Sequence, residues 1–146
     1  MKHIETSQLN IAYRDIGPSD GKPVFLLHGF PYDIHAYDVV SARLSKEGYR
    51  CIIPFLRGYG ATSFKSPDTP RSGQQSALGA DLLSFMDALD VQEAILGGYD
   101  WGGRAACIVA ALWPERVIGL VSCGVGYNIQ NIAKAGTPAP PLEEYR

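Results

Sequence analysis

Residues 98–102, of sequence GYDWG, constrain the fold of this chain more than any other segment. They follow an apolar run at residues 94–97 and precede a helical stretch at residues 104–113. Two glycines that flank x-Asp-x between such segments are typical of a sharp strand-to-helix turn, in which crowding leaves no room for Cβ atoms. The sequence therefore predicts that Gly98 and Gly102 are structural residues of this turn and that Asp100 is presented at its tip.

An aspartate at this position points to nucleophilic chemistry. Its carboxylate is ionised at neutral pH and can attack carbon without first losing a proton to a base. The resulting ester must then be hydrolysed by an activated water, and histidine is the most common base for such a step. The three histidines, His3, His28 and His35, all precede Asp100, whereas a catalytic histidine follows the nucleophile in folds built on this turn. A simpler role for Asp100, as N-cap of the following helix, stays open at this point.

Composition excludes several classes of protein. With 146 residues, of which 46% are hydrophobic and 19% charged, the chain is one domain or part of one and is not disordered. A net charge of −2 without charged runs argues against a nucleic-acid or membrane surface. No signal peptide or membrane-length segment is present, so we expect a cytoplasmic protein. Cys51, Cys107 and Cys123 have no metal-ligand spacing, and we expect buried, reduced thiols and neither metal nor cofactor.

The order of elements predicts an α/β fold. Apolar strands alternate with amphipathic helices, which is typical of a mostly parallel sheet with helices on both faces. The predicted elements are a hairpin at residues 4–6 and 10–15, strands at residues 24–27, 51–53, 94–97 and 117–123, and helices at residues 37–44, 78–89 and 104–113. Residues 1–127 are predicted to form the N-terminal part of the core. Residues 128–146, with a proline-rich stretch, are expected to be a linker into a cap domain that the sequence does not contain.

Three motifs in order carry a family resemblance: HGFP at residues 28–31, RGYG at residues 57–60 and GYDWGG at residues 98–103. Their order and spacing resemble those of α/β-hydrolases that use an aspartate nucleophile. Soluble epoxide hydrolases look nearest, and haloalkane and haloacetate dehalogenases follow closely. The resemblance covers nearly the whole chain, and it implies the N-terminal part of an α/β-hydrolase fold that lacks the last strands and the cap.

The resemblance also implies a set of site residues. Asp100 would be the nucleophile, and the backbone N–H groups of Phe30 and Trp101 would form the oxyanion hole. Trp101 and Pro31 would line the substrate pocket. His28 would be structural. For Arg57 two roles stay open, namely pairing with an acidic group and ordering its loop.

The implied reaction is that of an epoxide hydrolase-like enzyme acting on a small hydrophobic electrophile. Asp100 would form an alkyl-enzyme ester, and water activated by a histidine outside this chain would cleave it, so we expect the chain alone to be inactive. A haloalkane or haloacetate dehalogenase is one alternative, and a non-catalytic ligand-binding protein or subunit is another. As partner we expect a separate C-terminal half chain, or otherwise self-association through the apolar edge at residues 117–123, because an uncharged hydrophobic edge invites pairing.

Overall fold

The computed structural model describes residues 1–123, which form one mixed β-sheet covered by helices. The strands are β1 (Lys2–Glu5), β2 (Leu9–Ile16), β3 (Lys22–Leu27), β4 (Tyr49–Pro54), β5 (Ser63–Phe64), β6 (Ala94–Tyr99) and β7 (Val117–Cys123). The helices are α1 (Asp38–Lys46), α2 (Gln75–Ala88) and α3 (Asp100–Leu112), with short 3-10 turns at Ile34–Tyr37 and Pro114–Arg116. The α/β class predicted from the alternation of apolar strands and helices is confirmed.

The sheet order is β1-β2-β4-β3-β6-β7, and β5 pairs with β2. Strands β4, β3, β6 and β7 are parallel to one another, whereas β1, β2 and β5 pair in antiparallel fashion. In a sheet of this kind, ligands bind beyond the carboxyl ends of the parallel strands. The loops that follow β3, β4 and β6 begin at that edge, and they carry the three sequence motifs.

Three of the parallel strands, β3, β4 and β6, are largely buried on both faces of the sheet, as their continuous apolar runs predict. In β3, Phe25 and Leu27 pack with α2 and α3, whereas Val24 and Leu26 face the opposite side with Ile34. Helix α1 packs against β4 on that opposite side. The carboxyl end of β3 is therefore held firmly from both faces.

Most predicted elements are present with shifted bounds. Helix α3 begins at Asp100, four residues before the predicted start, because the turn into the helix takes place at Tyr99 and Asp100 themselves. Gly48 follows α1 with a φ of +86°, as expected of a glycine that ends a helix. Strand β5 was not predicted, since two residues carry no periodicity that a sequence pattern can detect.

Strand β7 lies at the edge of the sheet among the described strands, and its apolar side chains are unusually exposed. Ile118 and Leu120 are each 41% exposed, and Val121 is 55% exposed. Cys51 and Cys107 are buried free thiols as expected, but Cys123, on this same strand, is exposed, and the expectation of burial is wrong for it. The predicted boundary at residue 127 and the linker at residues 128–146 lie outside the described residues. None of the helices found in residues 1–123 has the length and apolarity needed to cross a membrane.

Candidate active site

The turn between β6 and α3 holds Asp100 in a conformation that side chains rarely adopt. Its φ is +49°, in the left-handed region, which costs a non-glycine residue roughly 1–2 kcal/mol. Tyr99 is still extended, with φ −133° and ψ 158°, so the chain reverses within one residue. Backbone strain of this kind persists only where the surroundings impose it, and it is concentrated at functional sites.

The glycines at the turn are there because other backbone occupies the space of their missing side chains. A Cβ on Gly98 would lie 2.6 Å from the carbonyl carbon of Gly102, and a Cβ on Gly102 would collide with the carbonyl of Leu27. Gly29, in the loop after β3, also has no room for a side chain. A Cβ added there would lie 2.7 Å from Asp100 Oδ1. The loop after β3 and the start of α3 are thus pressed together at Asp100.

This close approach produces a direct hydrogen bond between the two loops. The backbone N–H of Phe30 donates to Asp100 Oδ1 at 2.9 Å. Tyr99, and not Asp100, occupies the N-cap position of α3, and it makes no side-chain capping bond there. The N-cap interpretation of Asp100 is therefore wrong, since its carboxylate contacts the neighbouring loop. Within the described residues, no hydrogen bond joins the Trp101 N–H to this carboxylate.

His28 is completely buried below the loop. Its Nε2 accepts a hydrogen bond of 3.1 Å from the Leu56 N–H, and its ring packs edge-on against Tyr59 at a centroid distance of 4.8 Å. Burial in this environment lowers the pKa of the imidazole. The side chain therefore links the loops after β3 and β4 as a neutral ring, and its accepting nitrogen is already in use. His3 and His35 are exposed elsewhere on the molecule.

A cavity of about 390 Å³ opens beside Trp101. It is lined by Arg57, Gly58, Tyr59, Phe64, Arg71, Ser72, Gly73, Leu78 and Trp101. Burial, and then the nearby charge of Asp100, raise the pKa of Tyr59, so the cavity lies within the electrostatic reach of the aspartate. Pro31, also expected at the pocket, is exposed and is not among the residues that line this cavity.

Arg57 performs both of the roles that the sequence left open. Its side chain is only 6% exposed, and its guanidinium forms a bidentate ion pair with Asp81 on α2, with N–O distances of 2.5 and 2.7 Å. It also donates to the Ser72 carbonyl at 2.9 Å. The wall of the cavity is thereby anchored to α2.

Two arginines near the site were missed by sequence reasoning. The guanidinium carbon of Arg104 lies 4.8 Å from the Trp101 ring centroid, and its Nε is buried with no hydrogen-bond partner. Arg71 stacks on Phe64 at 3.9 Å. The three-residue separation of Trp101 and Arg104 on a helix was a usable signal, whereas nothing in the sequence pairs Phe64 with Arg71. Over residues 1–123, no group of three or more His, Cys, Asp or Glu side chains is arranged to hold a metal ion.

Comparisons with known proteins show what the chain as a whole is similar to. A family model described as the alpha/beta hydrolase fold matches residues 22–144. Epoxide hydrolase 3 of Siraitia grosvenorii is 34% identical over 133 residues, which is 91% of this chain and 42% of that protein. A haloalkane dehalogenase of Psychrobacter cryohalolentis is 34% identical over 112 residues, covering 77% of this chain and 36% of the relative. The chain thus spans about four-tenths of the length of the curated relatives it matches.

Solved structures give the same result. A Klebsiella pneumoniae protein that is provisionally described as an epoxide hydrolase superimposes with a TM-score of 0.89 at 53% identity. The match covers 99% of this chain and 47% of that one. An epoxide hydrolase mutant from Vigna radiata superimposes with a TM-score of 0.76 at 30% identity, covering 85% of this chain and 38% of the other.

Proposed function

Since this chain belongs to the α/β-hydrolase fold family, we propose that it carries the nucleophile of an epoxide hydrolase-type reaction, and that this nucleophile is Asp100. Epoxide hydrolases and a haloalkane dehalogenase among its relatives support this branch of the family. The chain also retains the sharp turn and the strained φ of +49° at the aspartate.

The hydrogen bond from the Phe30 N–H to Asp100 Oδ1 is the observation that carries the proposal. This bond makes the two carboxylate oxygens different. Oδ1 accepts the Phe30 N–H, whereas Oδ2 has no hydrogen bond among the described residues. Oδ2 is therefore the oxygen free to attack. A donor that already contacts Oδ1 needs no rearrangement to stabilise the negative charge that develops there later.

In the first step Oδ2 attacks one carbon of the epoxide. A new C–O bond forms, the ring C–O bond breaks, and the departing alkoxide takes a proton from an acid or from water. Oδ2 becomes the ester oxygen and Oδ1 becomes the ester carbonyl oxygen. In the second step water gives a proton to a base and attacks the carbonyl carbon, and the negative charge that appears on Oδ1 is stabilised by the Phe30 N–H. The intermediate then collapses: the bond between the carbonyl carbon and Oδ2 breaks, the diol leaves with Oδ2 and takes up the proton, and the Asp100 carboxylate is restored with an oxygen from water. The Trp101 N–H is the second donor in this proposal, and it would have to turn toward Oδ1 as the intermediate forms.

The second step needs a base for the attacking water, and we propose that a histidine outside these 146 residues provides it. His28 is buried and already accepts the Leu56 N–H. His3 and His35 are exposed residues on β1 and on the 3-10 turn before α1. General-base assistance is typically worth ~10²–10⁴-fold in rate, so the chain alone should form the ester much faster than it hydrolyses it.

The main alternative, a dehalogenase, differs from an epoxide hydrolase in its leaving group. A dehalogenase would use the same carboxylate and expel a halide. The similarity of this chain to the Psychrobacter haloalkane dehalogenase supports this alternative. Trp101 lines the cavity beside the aspartate, where its indole N–H could assist a departing halide. Both candidates share a small hydrophobic electrophile as substrate and the same covalent ester.

We further propose that additional polypeptide covers the exposed side of β7. Besides its exposed Ile118, Leu120 and Val121, an apolar groove of about 330 Å³ runs between this strand and α1. An uncharged apolar edge of this size favours association. A C-terminal half of the hydrolase fold, supplied as a separate chain, would cover the groove and supply the histidine, whereas self-association through β7 would cover only the edge.

The proposal is tested by incubating the chain with a terminal alkyl epoxide and following intact mass and diol release together. We expect one stable adduct per chain, equal in mass to the intact reagent, and no continuing diol formation. Asp100→Asn should abolish the adduct. The absence of any adduct would contradict the nucleophile, and sustained diol formation by the pure chain would contradict the external base.

A further inference from the structure

Arg104, one helical turn after Asp100, has a buried polar atom without a partner. Its Nε is buried and makes no hydrogen bond, although the side chain as a whole is only partly buried. The ion pairs found in residues 1–123 do not include Arg104. A buried donor without a partner is uncommon in folded proteins and costs free energy, so a compensating interaction is expected beside it.

The compensating interaction is with the indole ring of Trp101. The guanidinium carbon of Arg104 lies 4.8 Å from the ring centroid, which is within the range of attraction between a cation and an aromatic face. The two residues are three positions apart on α3 and therefore share one side of the helix. Neither is among the buried residues of α3, so core packing alone does not bring them together. The positive charge of Arg104 is thus held over the Trp101 ring.

Trp101 connects this charge to the reacting groups. It follows Asp100 directly in the chain, and its ring lines the cavity beside the aspartate. Within the described residues its indole N–H makes no hydrogen bond, so this donor is available to a ligand. A cation over the ring draws electron density from it, and the indole N–H becomes a stronger hydrogen-bond donor as a result.

We infer that Arg104 is a positioning residue for the departing group and that it acts through Trp101. Its guanidinium holds the indole ring in place and polarises the ring N–H, which donates a hydrogen bond to the atom that leaves when Asp100 attacks. No proton is transferred from the indole, because a halide leaves as an anion and an epoxide oxygen takes its proton from an acid or from water. This inference rests on the proposed function, since it needs Asp100 as the nucleophile.

The test compares two reagents that differ only in the leaving group, allyl chloride and allyl iodide. Chloride concentrates its charge on a smaller atom than iodide, so its departure depends more on a hydrogen-bond donor. The rate of adduct formation is followed by intact mass, and the rate in Asp100→Asn is subtracted so that only the ester on Asp100 is counted. A role in folding alone would change the two rates equally.

Arg104→Met, which keeps an unbranched stem, should lower the rate with allyl chloride about twofold to fivefold and the rate with allyl iodide less. Trp101→Phe, which keeps a ring without the N–H, should lower the chloride rate about tenfold. In the Trp101→Phe background, Arg104→Met should have no further effect, because two residues that act through one interaction are not additive. Arg104→Lys should retain part of the chloride rate. Arg43→Met, on α1 at the opposite face of the sheet, is the control and should react normally.

A measurement without chemistry separates this inference from the proposed function. The chain has two tryptophans, so the only indole N–H signal in the NMR spectrum of Trp113→Phe comes from Trp101. Bromide, at constant ionic strength, should shift this signal, and adding Arg104→Met should weaken the binding of bromide about twofold to fivefold.

Equal losses with the two allyl halides would overturn the inference, as would additive losses in the double variant. An indole signal that does not respond to bromide, or equal bromide affinity with and without Arg104, would also overturn it. If Asp100 is alkylated but Arg104→Met affects both halides equally, this inference fails and the proposed function stands. If no ester forms on Asp100, the proposed function fails, and the bromide titration alone decides whether Arg104 strengthens the Trp101 donor.

Discussion

Phe30 and Asp100, seventy residues apart in sequence, are joined by a hydrogen bond of 2.9 Å from the backbone N–H of the first to Oδ1 of the second. This contact exists because β3 and β6 are adjacent parallel strands that end at the same edge of the sheet. It also requires three glycines, Gly29, Gly98 and Gly102, at which a Cβ would collide with neighbouring atoms.

Replacing Gly98 by valine should destabilise the chain through steric crowding at the turn. The added atoms would meet the backbone of Gly102 and Gly103, which cannot move aside as a flexible side chain could. We expect a loss of about 1–3 kcal/mol in the free energy of unfolding, measured by denaturant titration. Gly73→Ala is the control, since a Cβ there meets nothing within 4 Å, and it should change stability by less than about 1 kcal/mol. Similar losses for both variants would show that the turn is not specially crowded.

Asp100→Gly and Asp100→Ala both remove the nucleophile, but they should differ in stability. Glycine adopts a φ of +49° without the cost that a side chain incurs, so we expect Asp100→Gly to be more stable than Asp100→Ala by roughly 1 kcal/mol. Thermal melts of the two variants measure the difference. A glycine variant that is no more stable than the alanine variant would show that the left-handed conformation at residue 100 costs no such strain.

The prediction for Gly29→Ala concerns reactivity more than stability. A methyl group at this position would overlap with the Asp100 side chain and push it away from the Phe30 N–H. We expect the rate of alkylation by a terminal epoxide to fall at least about tenfold, the effect associated with a misplaced reacting group. Gly73→Ala again serves as control and should react normally. Unchanged reactivity in Gly29→Ala would show that the close approach of the two loops is irrelevant to the carboxylate.

Stability should fall with acid because of His28. Burial lowers its pKa from the ordinary value of 6.5. Below about pH 6.5 the unfolded chain therefore binds a proton that the folded chain does not, and folding weakens until the lowered pKa is reached. Above about pH 6.5 His28 is neutral in both states, and its full contribution to the stability of the fold is present. Thermal melts from about pH 7.5 to 5.5 should show this decline.

The matched variants for the acid effect are His28→Asn, which keeps an acceptor for the Leu56 N–H, and the double replacement of the exposed His3 and His35 by glutamine. The decline should be smaller in His28→Asn and unchanged in the double variant. The opposite result would contradict this prediction. If the double variant no longer loses stability in acid while His28→Asn still does, the exposed histidines and not His28 cause the effect.

The sequence predicted the strands that border the site better than it predicted the site itself. Continuous apolar runs such as residues 24–27 identify buried parallel strands, and the pair of glycines around Asp100 identifies the turn. The position of Arg71 could not be foreseen in this way, since it depends on how the loop before α2 folds back over Phe64. The exposure of Cys123, in contrast, was within reach of the sequence, because an apolar edge at residues 117–123 was expected, and β7 has a strand on only one side among the described residues.

The covalent assignment of the nucleophile tests the account most directly. After incubation of the 146-residue chain with a terminal alkyl epoxide, the adduct is located by proteolysis and tandem mass spectrometry. The account predicts one ester, on Asp100, that is missing in Asp100→Asn and forms more slowly in Gly29→Ala. An adduct confined to another residue, such as the exposed Cys123, with Asp100 unmodified, would contradict it.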